Sequence, residues 1–94
     1  MKATLHQSII ADSSDIKEHA GYHYFPIANV RMEWLEKAPK TARDMECPHG
    51  VQFYDVVIDG QRHARNAWIY EAPQPAIKDK VGQRCGFWKD VAVG

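Results

Sequence analysis

Two β-rich runs, Val51–Ile58 and Gln61–Glu71, are separated only by Asp59-Gly60. A two-residue link between strands is best made by a type I′ turn, which needs positive φ at both central positions, and Asp-Gly tolerates that. The two runs are therefore predicted to pair as an antiparallel hairpin, which commits the chain to a sheet. Counting outward from the turn, Ile58 faces Gln61, so Val51 falls opposite Trp68 and Gly50 opposite Ile69. Side chains alternate along a strand. Tyr54, Val56 and Ile58 then line one face, while Trp68 and Tyr70 share a face of the return strand.

The rest of the chain fits the same class. Thr4–Ile10 reads as a first strand, closed by the turn-forming cluster Asp12-Ser13-Ser14. Ile16–His19 and Tyr22–Phe25 flank Ala20-Gly21 as a second hairpin that places Tyr22 and Tyr24 on one face. Pro26 ends that strand, because proline cannot donate the next ladder bond. In Ile27–Glu36, with Asn29 placed to cap, a short helical turn running into an extended segment is expected before Ala38-Pro39-Lys40-Thr41 breaks the pattern. Pro73 and Pro75 end the return strand. Ala76–Val81 reads as a short helix with Gly82 as its C-cap, and Arg84–Val93 as a last strand carrying Phe87 and Trp88. The expected fold is mainly β, a single domain over residues 1–94, with one or two short helices.

Such a chain needs a well-chosen core, since a domain of this size buries only about 60–65% of its unfolded surface. Three Trp, four Tyr and three Phe supply one, each ring burying on the order of 150–250 Å². The 45% hydrophobic content excludes intrinsic disorder. Twelve basic side chains balance twelve acidic ones, which argues against nucleic acid as a partner, because phosphate neutralisation draws on a basic excess. No apolar run approaches the roughly 20 residues of a membrane span, and Met1–Ile10 lacks the features of a signal peptide. Two cysteines without an export signal read as reduced thiols. A cytoplasmic protein without a membrane partner is expected, as a monomer or weak homodimer.

Ile9-Ile10-Ala11-Asp12-Ser13, Tyr24-Phe25-Pro26, Asn29-Val30-Arg31, Cys47-Pro48-His49-Gly50, Ala67-Trp68-Ile69-Tyr70-Glu71 and Gly86-Phe87-Trp88 occur in an order and spacing that resembles the small bacterial "domain of unknown function 427" family, which also carries a nucleotidyltransferase-like label. The likeness runs from Ile9 to Val93. It implies two antiparallel sheets in an open tent-like or flattened-barrel arrangement, and no established reaction. The chain departs from the family pattern at Asn29, where an acidic residue is usual, and in Met45–Gly50, which lacks the usual Thr and Lys. No role for that loop is carried over.

The residues themselves support few chemistries. Cys47 and His49 form one close pair of potential metal ligands, whereas a structural zinc site needs four; no metal or other cofactor is implied. There is no Gly-rich phosphate loop and no carboxylate cluster of the kind that holds Mg²⁺ beside a nucleotide. Arg62 and Arg65 point to opposite faces of a regular strand, so they make no stripe. Two functional classes remain. The first is a binding module that takes a small molecule or peptide in an aromatic-lined cleft between two sheets, drawn from Tyr22, Tyr24, Trp34, Trp68, Tyr70 and Trp88, with Tyr24, Trp68 and Tyr70 as ligand-binding residues and Cys47 and His49 at its border. The second is a small enzyme with Cys47 as nucleophile and a histidine such as His49 as its base. Each residue also has a plainer use: Trp68 as core, Cys47 as a loop thiol packed inward.

Overall fold

A computed structural model describes all 94 residues. Its strands are β1 (Lys2–Leu5), β2 (Ser8–Asp12), β3 (Lys17–His19), β4 (Tyr22–Pro26), β5 (Leu35–Lys37), β6 (Val51–Ile58), β7 (Gln61–Tyr70), β8 (Arg84–Phe87) and β9 (Ala92–Val93). Two short helices, α1 (Ala42–Met45) and α2 (Pro75–Val81), and two 3-10 turns, Ile27–Asn29 and Met32–Trp34, complete the chain. The strands form two antiparallel sheets, one ordered β2-β1-β9 and the other β3-β4-β8-β7-β6-β5. They do not close into a barrel. The architecture is the expected mainly β one.

Two hairpins follow their turn residues. Asp59 and Gly60 both have positive φ (51° and 77°), as do Ala20 and Gly21 (53° and 85°), the geometry that matches the twist of the flanking strands. Pro26 is the last residue of β4, and a 3-10 turn follows it. Asn29 closes that turn rather than capping a helix, and no side chain caps it.

Two expectations are corrected. Thr4–Ile10 is not one strand but the two strands β1 and β2, folded back at His6-Gln7. The turn has no glycine, and His6 itself takes the left-handed conformation at φ 55°, which histidine tolerates better than most residues. Arg84–Val93 also divides. Lys89, at φ 58°, breaks it, and β9 crosses over to pair with β1, which ties the smaller sheet to the chain's end. Gly82 is the C-cap of α2 as expected, at φ −62°, and Gln83 after it is left-handed. Glycine is required at 82 for room: a Cβ there would lie 2.7 Å from the Lys78 carbonyl oxygen.

The register of the central hairpin is corrected as well. Ile58 faces Gln61 as counted, but farther out Phe53 faces Trp68 and Val51 faces Tyr70. Between Tyr54 and Val56 the single residue Asp55 spans Ala64, Arg65 and Asn66, with Arg65 at φ 58°. This bulge shifts the pairing by two residues. Because two is the period of a strand, every side chain keeps its face. Asp55 holds the bulge by accepting the Arg65 amide (3.0 Å) and the Arg62 guanidinium (2.7 Å). Asn66 bonds the Ala64 carbonyl on one side and accepts from the Asp90 amide on the other, both at 2.9 Å.

The two faces of the large sheet are unlike. One packs on the small sheet through Phe25, Val56, Ala67, Cys85 and Phe87 against Ala3, Leu5 and Ile10, all nearly or wholly buried. Full burial of the Phe, Val, Leu and Ile side chains among them stabilises by about 1.5–3 kcal/mol each. The opposite face carries Tyr24, Val51, Trp68 and Val81, with Phe53, Tyr70, Ile77 and Trp88 against them. Trp68 lies across the neighbouring strand at its cross-strand partner Gly86. A Cβ on Gly86 would meet the indole at 2.6–2.7 Å.

Gly86→Ala is therefore expected to lower stability by about 1–3 kcal/mol, the usual cost of an added methyl in filled space, read from the urea midpoint. In a Trp68→Phe background the smaller ring leaves room, and the same change should cost less. Strictly additive losses would show that the two positions do not compete for that space.

Candidate functional site

The outer face of the large sheet holds a depression of about 280 Å³. β4, β6 and β7 supply its floor and α2 one wall, through Ile77, while the β3–β4 turn forms its rim at His19, Ala20 and Tyr22. Alternation explains its residues: Phe53 and Trp68 face each other across β6 and β7, and Tyr22 and Tyr24 share a face of β4. Tyr22 meets Trp68 edge to face at 5.0 Å, and Trp68 meets Trp88 at 5.4 Å. Trp88 stacks on Phe53 at 5.7 Å with the planes 21° apart. Such contacts stabilise beyond area burial by about 0.5–1.5 kcal/mol a pair.

Tyr24 and Trp68 are its inner rings, exposed by only 1% and 4%, whereas Tyr22 is 39% exposed. The polar tips of the inner rings are satisfied within the protein. Trp68 Nε1 donates to the Tyr24 hydroxyl at 3.3 Å, and burial pushes the Tyr24 phenol well above its ordinary pKa. Trp88 Nε1 donates to the Arg65 carbonyl.

The structure brings Tyr24, His49, Trp68 and Tyr70 to this one depression. Cys47 packs against the same aromatic cluster but does not line the depression. Cys85 lies in the core between the sheets, where burial pushes its thiol pKa up strongly. The two cysteines are unpaired and belong to separate clusters. Cys47–Gly50 is a turn closed by the Gly50 amide on the Cys47 carbonyl at 3.2 Å. His49 Nδ1 accepts the backbone N–H of Gln74 at 3.0 Å, so this nitrogen is not free to take a proton from Cys47. His49 also meets Tyr70 edge to face at 5.7 Å.

Sequence reasoning did not place Phe53 here, or His19 and Ile77. Phe53 was legible by alternation, since it must face away from Tyr54. His19 and Ile77 depend on how the β3–β4 turn and α2 fold over the sheet, which has no local signal. Trp34 sits elsewhere, against the inter-sheet core, with the Arg31 guanidinium 5.0 Å from its ring. A second depression, of about 330 Å³, lies at the tips of two hairpins and includes His6, Asp59 and His63. His63 Nδ1 pairs with Asp90 at 3.2 Å. No group of three or more His, Cys, Asp or Glu is placed to hold a metal ion.

A model of the family described as "Domain of unknown function (DUF427)" matches residues 1–93. The chain belongs to that family. Nucleotidyltransferase is only the DUF427 family's historical name, and no carboxylate lines the aromatic depression. No curated protein matches the sequence.

One edge of the DUF427 aromatic face is pinned by charge. The Arg65 guanidinium lies 4.1 Å from the Phe53 ring centre and donates to Asp44 at 2.7 Å. Asp44 is buried and also closes the capping box of α1, accepting the Thr41 amide while its own amide donates to the Thr41 hydroxyl. The hydrogen bond from Arg65 holds the Asp44 carboxyl below its ordinary pKa. A carboxylate with a depressed folded pKa stabilises above its unfolded value and loses that contribution as pH falls through the folded one. Asp44→Asn should therefore cost on the order of 1–3 kcal/mol near neutral pH. It should also flatten the acid limb of stability against pH below about 4, where the unfolded carboxyl titrates. An unchanged acid limb in urea titrations would refute the role.

Proposed function

We propose that this domain is a non-catalytic binding module that takes a small ligand against the outer aromatic face of its large sheet. The observation that carries the reading is the state of the rings. Tyr24 and Trp68 are buried and hydrogen-bonded to each other, and make a rigid inner wall. Tyr22, Phe53, Tyr70 and Trp88 stand in front of it and remain partly exposed. A concave, mostly apolar surface with a few polar groups is the usual form of a small-molecule site. At about 280 Å³, it suits a ligand of one or two rings better than a long peptide.

Indole is a suitable probe. It should shift the side-chain Nε1–H resonances of Trp68 and Trp88 in a ¹H–¹⁵N spectrum, in a saturable manner. Tyr22→Ala removes an exposed rim ring, so it should weaken indole binding while costing less than about 1 kcal/mol of stability. Cys47→Ala should leave the titration nearly unchanged, because Cys47 lies outside the depression. Indole at millimolar concentration that leaves both tryptophan signals in place would end the proposal.

A further inference from the structure

Building on the binding reading above, we infer that the ligand is a neutral ring compound carrying a hydrogen-bond acceptor, and that His49 Nε2–H is the group that selects it. The first observation is the bond from the Gln74 amide to His49 Nδ1, 3.0 Å long. A backbone amide can only donate, so Nδ1 must be the bare, accepting nitrogen. A neutral imidazole then carries its proton on Nε2, and that nitrogen can only donate. Gln74 does not line the depression, whereas His49 does. The two ring nitrogens point in nearly opposite directions, so the fixed donor is turned away from Gln74.

The second observation is the rest of the lining. It contains no Asp, Glu, Lys or Arg, so no permanently charged side chain rewards bringing a full charge into an apolar recess, and the desolvation of a charge is costly. The indole N–H groups of Trp68 and Trp88 are both engaged inside the protein. The hydroxyls of Tyr22 and Tyr70 rotate and can give or accept, and His19 at the rim has no bond that fixes either ring nitrogen as donor or acceptor, so none of these discriminates. His49 can. A ligand that offers only a donor at that point leaves the Nε2–H unpaired, and a buried donor without a partner is penalised. The turn Cys47–Gly50 keeps the ring in place, with the Glu71 amide donating to the Gly50 carbonyl at 2.9 Å and the Ala72 amide to that of His49 at 3.0 Å.

Indole and indazole test this directly, because they share one shape and differ by a ring CH replaced with an accepting nitrogen. Titrated into the full chain and followed at the Trp68 and Trp88 indole signals, indazole should bind about two- to tenfold tighter than indole, the range one net hydrogen bond supplies. His49→Phe keeps a ring beside Tyr70 and removes the donor. It should erase the difference between the probes while the Trp68 signal of the free protein stays near its original position. A long-range ¹H–¹⁵N spectrum should show His49 with a bare Nδ1 and a protonated Nε2. Equal affinities for the two probes in the unsubstituted chain, or a protonated Nδ1, would overturn the inference and leave the binding reading standing. Failure of both probes to move either tryptophan would instead sink the binding reading itself.

Discussion

Trp68 occupies the space where a side chain of residue 86 would stand, and much of the domain is arranged around that contact. A central strand with an indole laid across its neighbour needs a glycine on that neighbour, and Gly86 is placed directly opposite. The indole then closes one sheet face over β8 and meets Tyr22, Tyr24 and Trp88 in T-shaped contacts. Its N–H is buried, and the Tyr24 hydroxyl satisfies it. Without that partner the donor would be left unmet in an apolar layer, at a penalty of about 1–3 kcal/mol. One cross-strand pair thus fixes the packing of β4, β7 and β8 and leaves the other face of the sheet free for the inter-sheet core.

The bulge opposite Asp55 adjusts the central hairpin to this packing. A shift of one residue would have exchanged the two faces and driven Trp68 toward the small sheet. The shift of two preserves them and sets Phe53 opposite Trp68. The displaced backbone is reused. The Arg65 carbonyl accepts from Trp88 Nε1, the Asn66 carbonyl from the Trp88 amide, and the Asn66 side chain from Asp90. Trp88 is thereby held at the exit from β8, where the chain leaves for the small sheet. Irregular backbone in the central hairpin thus positions Trp88 on the aromatic face.

Much of this was legible in the sequence, and the illegible parts have identifiable causes. Asp59-Gly60 and Ala20-Gly21 declared their hairpins because glycine carries the positive φ that the turn requires. The His6-Gln7 turn puts the same positive φ on a histidine, with neither glycine nor proline to mark it, so two strands read as one. The bulge was invisible because Ala64-Arg65-Asn66 has no glycine and the anchoring Asp55 looks like any polar strand residue. Alternation placed Trp68 with Tyr70 and Tyr22 with Tyr24 correctly, and it is blind to a register shift of two. It also cannot say which layer covers a face. For that reason a cleft imagined between the sheets lies instead on the outer side of the larger one. The capping box of Thr41 and Asp44 was spelled out locally, yet its four-residue helix is too short to leave an apolar period.

The aromatic face stays partly open for a reason of supply. The small sheet is committed to the opposite face, where Ala3, Leu5 and Ile10 meet Phe25 and Phe87. For the outer face there remain only α2, seven residues long, and the short β3–β4 hairpin. α2 brings Val81 and Ile77 to one side, and the hairpin reaches the rim with Tyr22. Between them Phe53 and Trp88 stack on each other and are met by Arg65 and by the Lys89 ammonium, 5.1 Å from the Trp88 ring centre. A cation over a ring face lets an aromatic remain near water with part of its surface covered. That device flanks the depression without filling it, because no cation lines the recess itself. The same shortage that leaves the rings uncovered makes them available, and His49, held by the Gln74 amide, sets a polar group of fixed orientation beside them.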